Sequence, residues 1–190
     1  MKAILRKLLI LPLALVALPA VAHSGHGTET IGFLAGLIHP VTGLDHLLAM
    51  LAVGFWSATT TRRIWLAPLV FANVLLLGAL LAVNGLAFPA VELMIVASVL
   101  VLGLLIMAHV SLPESAATAL ISGCALFHGT VHGAELGTSI ALAGMVTSTA
   151  LLHGIGITAG CLLRTRNQLW RRGIGAGITL TGVGLALNLA

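Results

Sequence analysis

Residues 64–84, IWLAPLVFANVLLLGALLAVN, carry no Asp, Glu, Lys or Arg and supply the roughly 20 residues a helix needs to cross a bilayer. Leu, Ala and Val follow one another without the period-2 alternation of a half-buried strand. Lipid leaves helices and closed barrels as the only spanning structures. The stretch therefore predicts a transmembrane helix. Outward from it, residues 31–59, 90–109, 115–136, 138–163 and 173–190 are likewise predominantly apolar. The expected fold is all-α, an integral membrane bundle of about six spans filling residues 31–190. Pro89 and Pro113 stand at the starts of two of these spans, where the first turn tolerates proline.

Composition supports this reading. Charged residues make up 7% of the 190, against about 25% in soluble domains, so the chain cannot cover a water-facing surface. The net charge of +4 does not describe a basic face. Lys2, Arg6 and Lys7 precede the first apolar run, and without them six basic residues face five acidic ones. Tyr is absent and no basic stripe is interleaved with aromatics, which argues against a nucleic-acid partner. Cys124 and Cys161 lie inside apolar stretches and are expected to be core residues rather than a disulfide.

The first 22 residues have the layout of a secretory signal peptide: a basic start, an apolar core from Leu8 to Pro19, and the ending Ala20-Val21-Ala22. The mature chain is then expected to begin at His23, with residues 23–30 forming a short external tail. That tail carries His23 and His26, which, with the new terminal amine, are candidates for capturing a metal ion. Arg62 and Arg63 follow the first span, and Arg164, Arg166, Arg171 and Arg172 follow the fifth. The positive-inside rule puts both arginine loops in the cytoplasm of an inner membrane, with both termini outside. Paired glycines (Gly32 and Gly36, Gly129 and Gly133, and the run Gly173, Gly175, Gly177) are expected to mark close helix contacts.

Ionisable residues inside a span each cost about 2.5–3.5 kcal/mol on insertion scales and so usually mark a site or a pathway. They form two clusters here. The second, Phe127-His128-Gly129-Thr130-Val131-His132-Gly133-Ala134-Glu135, sets His128 and His132 at i,i+4 with Glu135 three beyond, all along one helical face. Such a histidine pair is a common chelating unit. The first is His39-Pro40-Val41-Thr42-Gly43-Leu44-Asp45-His46, followed by Met50. In an unbroken helix His39 and His46 would stand about 10 Å apart along the axis, too far to share an ion. Pro40 and Gly43 lie between them, and a break there would bring His39 back towards His46. Asp45 is positioned to serve as a ligand or as an acceptor behind an imidazole. The two clusters are expected to face each other across the outer half of the bilayer. Glu92 is the carboxylate of the third span, either an interfacial residue or part of an entry path. His109 and His153 are expected to be packing histidines.

These motifs resemble the signature of the HupE/UreJ family: the H-x5-D-H pattern of His39, Asp45 and His46 in its HPxxGxDHxLAM setting, and the FHGxxHGxE run from Phe127 to Glu135. The resemblance covers the signal peptide, the histidine-bearing start, the spans and both motifs. It implies a nickel or cobalt permease associated with hydrogenase or urease maturation. It also implies transport roles for His39, Asp45, His46, His132, Glu135 and Glu92. Thr130-Val131 stands where an alanine-rich pair is common in the family.

Imidazoles with carboxylates suit nickel, cobalt, zinc or copper, so the expected partners are a transition-metal cargo and the lipid bilayer; no cofactor is expected to be permanently bound. A homo-oligomer is compatible with the sequence. Lys2 and Lys7 both lie in the signal segment, so the mature chain has no Walker-A lysine and no Schiff-base lysine. Transport without ATP hydrolysis, and not catalysis, is therefore expected. An inside-negative potential favours entry of a dication by about 4.6 kcal/mol per 100 mV. Two alternatives use the same residues. An intramembrane zinc hydrolase would take Glu135 as general base, and a b-type haem protein would take two axial histidines.

Overall fold

The computed structural model describes residues 32–189, and all regular structure among them is helical. The expected signal peptide and the tail bearing His23 and His26 lie outside the described residues. Seven helices follow one another: α1 (Phe33–Thr42), α2 (Leu44–Thr60), α3 (Leu66–Val83), α4 (Val91–Met107), α5 (Glu114–Leu136), α6 (Ser139–Arg164) and α7 (Gln168–Leu189). By length and composition α3 and α6 can each cross a membrane, and α1 with α2 forms a third, broken candidate. At 17 residues α4 is a shorter apolar helix. Large apolar side chains face outward along these helices, among them Leu69, Leu77 and Leu80 on α3 and Leu151, Ile155 and Leu162 on α6. That is the surface of a protein dissolved in lipid.

The first predicted span is two helices meeting at 86°. The break lies at Gly43, whose φ of −89° and ψ of 118° are extended, whereas Pro40 sits inside α1. Proline's fixed φ is compatible with a helix, so its missing N–H removes one hydrogen bond without ending the turn. Thr42 then donates its hydroxyl to the His39 carbonyl at 2.8 Å near the end of α1.

Three helix pairs build most of the bundle: α2 with α6, α3 with α5, and α4 with α7. Each is drawn together by reciprocal glycines. A Cβ at Gly54 would collide with the His153 carbonyl and one at Gly156 with the Leu51 carbonyl; Gly78 and Gly129 block each other's helices likewise, as do Gly103 and Gly175. Gly36 and Gly144 dock α1 on α6 in the same way. Small residues let backbones touch, and the resulting van der Waals contact is what holds helices together in lipid. Not every predicted glycine takes part: Gly36, Gly129, Gly133 and Gly175 are at contacts, while Gly32, Gly173 and Gly177 face open space. Counting α1 with α2 as one segment, the pairs α2–α6 and α3–α5 exchange, and α4–α7 maps onto itself, when the first three segments are swapped with the last three.

Candidate metal centre

The centre forms where the broken segment meets the continuous α5. The bend at Gly43 turns α1 back over the N-terminus of α2, so the rings of His39 and His46 lie 6.4 Å apart, centroid to centroid. On α5, His128 and His132 are fully buried and one turn apart, about 6 Å along the axis. The four imidazoles interleave. His132 lies 4.9 Å from His39 and 4.5 Å from His46, and His46 lies 5.1 Å from His128.

The outer end is a three-residue cluster. His39 Nε2 and Glu135 Oε2 are 2.8 Å apart, and one ligand atom from each of His39, His132 and Glu135 falls within 4.8 Å of the others. Metal–nitrogen and metal–oxygen bonds near 2 Å put donor atoms roughly 3–4 Å apart around one ion, so a small adjustment closes the set. Glu135 is half-exposed and His132 is buried, so the cluster runs from an accessible edge into the protein.

One step further in, the histidines are oriented by their δ-nitrogens. Asp45 occupies the first turn of α2, where the positive end of the helix dipole favours a carboxylate. Its Oδ1 accepts the His46 backbone N–H at 2.8 Å and the His46 Nδ1–H at 2.7 Å. That fixes the tautomer with the lone pair on Nε2, which is buried and has no hydrogen-bond partner among the described residues. His128 Nδ1–H likewise donates to the Cys124 carbonyl at 2.9 Å, and its Nε2 is also buried without a partner among the described residues. Buried polar atoms are almost always satisfied, so two neighbouring lone pairs left open inside an apolar bundle fit a site that receives a cation.

Of the sequence-predicted residues, the structure brings together His39, Asp45, His46, His128, His132 and Glu135. Asp45 stands behind His46 as an acceptor. Glu92 is exposed in the first turn of α4, makes no hydrogen bond or ion pair among the described residues, and is not part of the cluster. Two residues that the motifs did not include lie against the centre. Phe71 of α3, fully buried, sits 5.5 Å from His128 and 5.1 Å from His153 of α6, ring to ring. Phe71 is the one aromatic residue of its helix, a signal the sequence analysis did not use. Cys124 serves as a backbone acceptor and Cys161 is exposed; both are free thiols.

Known proteins resemble the chain over most of its length. A family model described as HupE / UreJ protein matches residues 11–185. Protein HupE of Rhizobium leguminosarum bv. viciae is 41% identical over 182 residues, an alignment covering 93% of this chain and 95% of the relative. No solved structure matches the chain.

Proposed function

The chain belongs to the HupE/UreJ family, a family of transport and accessory proteins associated with nickel and cobalt uptake for hydrogenase and urease, and from that premise we propose that it is a permease importing Ni²⁺ or Co²⁺. The observation that carries the proposal is the inward succession of nitrogen and oxygen donors. It begins at the half-exposed Glu135–His39 pair, passes the buried His132 ring and reaches the open Nε2 atoms of His46 and His128. A resident structural metal needs one closed shell; donors spread along a path suit an ion that moves. The ion is cargo and not a cofactor. Nothing in the geometry or the comparisons supports the hydrolase alternative.

In this reading α1–α2, α3, α4, α5, α6 and α7 are six spans of an inner-membrane bundle. The loops with Arg62 and Arg63 and with Arg164 and Arg166 lie in the cytoplasm, and the preceding leader is removed on export. The His39–Glu135 end then faces the periplasm, where His23 and His26 deliver the ion, and Glu92 lies at the outer surface as an approach residue. The membrane potential drives entry without ATP. The test is uptake of radiolabelled nickel and cobalt by cells expressing the chain, each metal competing against the other. Saturable uptake above empty-vector cells, with mutual inhibition, is expected; no uptake above background overturns the proposal.

A further inference from the structure

Beyond the family motifs, the bundle holds a histidine that helix packing does not account for. His153 of α6 is 2% exposed, and its Nδ1–H donates to the Met50 carbonyl of α2 at 2.8 Å. That bond joins two helices. It also leaves the lone pair on Nε2, which is buried and has no hydrogen-bond partner among the described residues. As glue the residue is poorly chosen: Gly54 and Gly156 already bring the two backbones into contact at this level, and an apolar side chain would pack there without stranding a polar atom.

The arrangement repeats that of His128. Both imidazoles are locked by a δ-nitrogen bonded to a backbone carbonyl, both present a buried, open Nε2, and both meet Phe71 edge to face, at 61° and 88°. Phe71 thus stands between the last histidine of the motif cluster and a further imidazole on another helix. Met50, whose carbonyl holds His153, is completely buried, and its sulfur accepts the Thr149 hydroxyl at 3.4 Å. That contact joins the same two helices, α2 and α6, as the His153–Met50 bond does.

We propose that His153 is a second, inner station for the transported divalent transition metal, reached from His46 and His128 past the Phe71 ring. This rests on the permease reading. Imidazole nitrogen suits the same borderline cations as the outer cluster. Two stations separated by an apolar side chain let an ion leave one before it is committed to the next, and conduction needs binding that is multi-site and releasable.

The discriminating variant is His153→Asn. Its amide N–H can take over the bond to Met50, while its amide oxygen is a weaker ligand and stops short of the Nε2 position. His153→Ala removes both and reports on folding. With purified protein in proteoliposomes, His153→Asn is expected to bind one fewer Ni²⁺ or Co²⁺ per folded chain than the unsubstituted protein. Its maximal uptake should fall about tenfold with the half-saturating concentration unchanged, because the outer cluster is intact. Binding stoichiometry equal to that of the unsubstituted chain overturns the inner station, as does uptake that falls only in proportion to lost folded protein. Should the unsubstituted chain bind metal but transport none, the permease reading fails, and the stoichiometry of His153→Asn still decides whether the station exists.

Discussion

The two motif-bearing segments solve one problem in opposite ways. On the continuous α5, register alone aligns His128, His132 and Glu135, because residues three and four apart share a face. On α1–α2 register would separate His39 from His46, and the 86° break replaces register with a fold-back. The break also supplies what a continuous helix lacks. It exposes the N-terminus of α2, where Asp45 takes up the backbone N–H and the imidazole N–H of His46. The continuous segment thus provides a ladder of donors, and the broken one provides orientation and a carboxylate at a helix start.

The strongest way to break this comparison is to remove one rung from each side. His46 and His132 are the pair in closest ring contact across the interface, at 4.5 Å. His46→Ala and His132→Ala should each reduce nickel or cobalt uptake by more than about 100-fold, since loss of even a supporting group costs 10–100-fold. Membrane insertion should be intact, because removing a polar side chain from a span lowers the insertion cost. Immunoblots of membrane fractions alongside uptake check both halves. Wild-type uptake in the two variants would return these histidines to helix packing.

The carboxylates sharpen the contrast. Glu135 meets His39 Nε2 directly and offers a ligand oxygen, whereas Asp45 acts through His46. Glu135→Gln should therefore cost close to 100-fold in uptake at low metal, and Asp45→Asn about tenfold, since an amide oxygen still accepts the Nδ1–H of His46. Uptake curves for the two variants measured together test the order. A deeper loss in Asp45→Asn would make Asp45 a direct ligand.

A smaller effect tests the hinge. The φ of Gly43 is available to any residue, so glycine is needed there for space: a Cβ would lie 2.9 Å from Asp45 Oδ1 and 3.1 Å from His46 Nδ1. Gly43→Ala should push the carboxylate off the imidazole and raise half-saturation by several-fold, up to about tenfold, with the amount of protein unchanged. An unaltered curve would show that the Asp45–His46 pair adjusts without loss.

What the sequence disclosed follows the range of the interactions involved. Helices and the α5 ladder are local, and hydropathy and i,i+4 spacing displayed them. The discontinuity was legible from Pro40 and Gly43 together, but its position was not, because Pro40 is compatible with a helix and Gly43 leaves it. Pairings across the bundle depend on which glycine meets which carbonyl. Gly36 and Gly173 look alike in sequence, yet one is pressed on the Ala141 carbonyl and the other faces open space. His153 was hidden for the same reason: its carbonyl partner is 103 residues away and its ring neighbour belongs to a third helix.

The smallest expected effect concerns a histidine outside both segments. His109 follows α4 with a φ of 55°, donating its N–H to the Ile106 carbonyl while Val110 donates to Leu105. Those two bonds form the Schellman ending, in which the left-handed position usually holds glycine. His109→Gly should relieve the strain and stabilise the fold by about 1 kcal/mol. Partial burial lowers the pKa of His109 below its ordinary 6.5, and the guanidinium groups of Arg171 and Arg172 lower it further. As pH falls below 6.5 the unfolded chain therefore takes up a proton more readily than the folded one, and stability present above that pH is lost. Melting curves of detergent-solubilised protein should show His109→Gly slightly ahead at pH 7.5 and further ahead at pH 5.5, with uptake at neutral pH unchanged. A gap that narrows on acidification would mean that the ring gains a partner when charged, and lost uptake would place His109 on the metal's route out of the bundle.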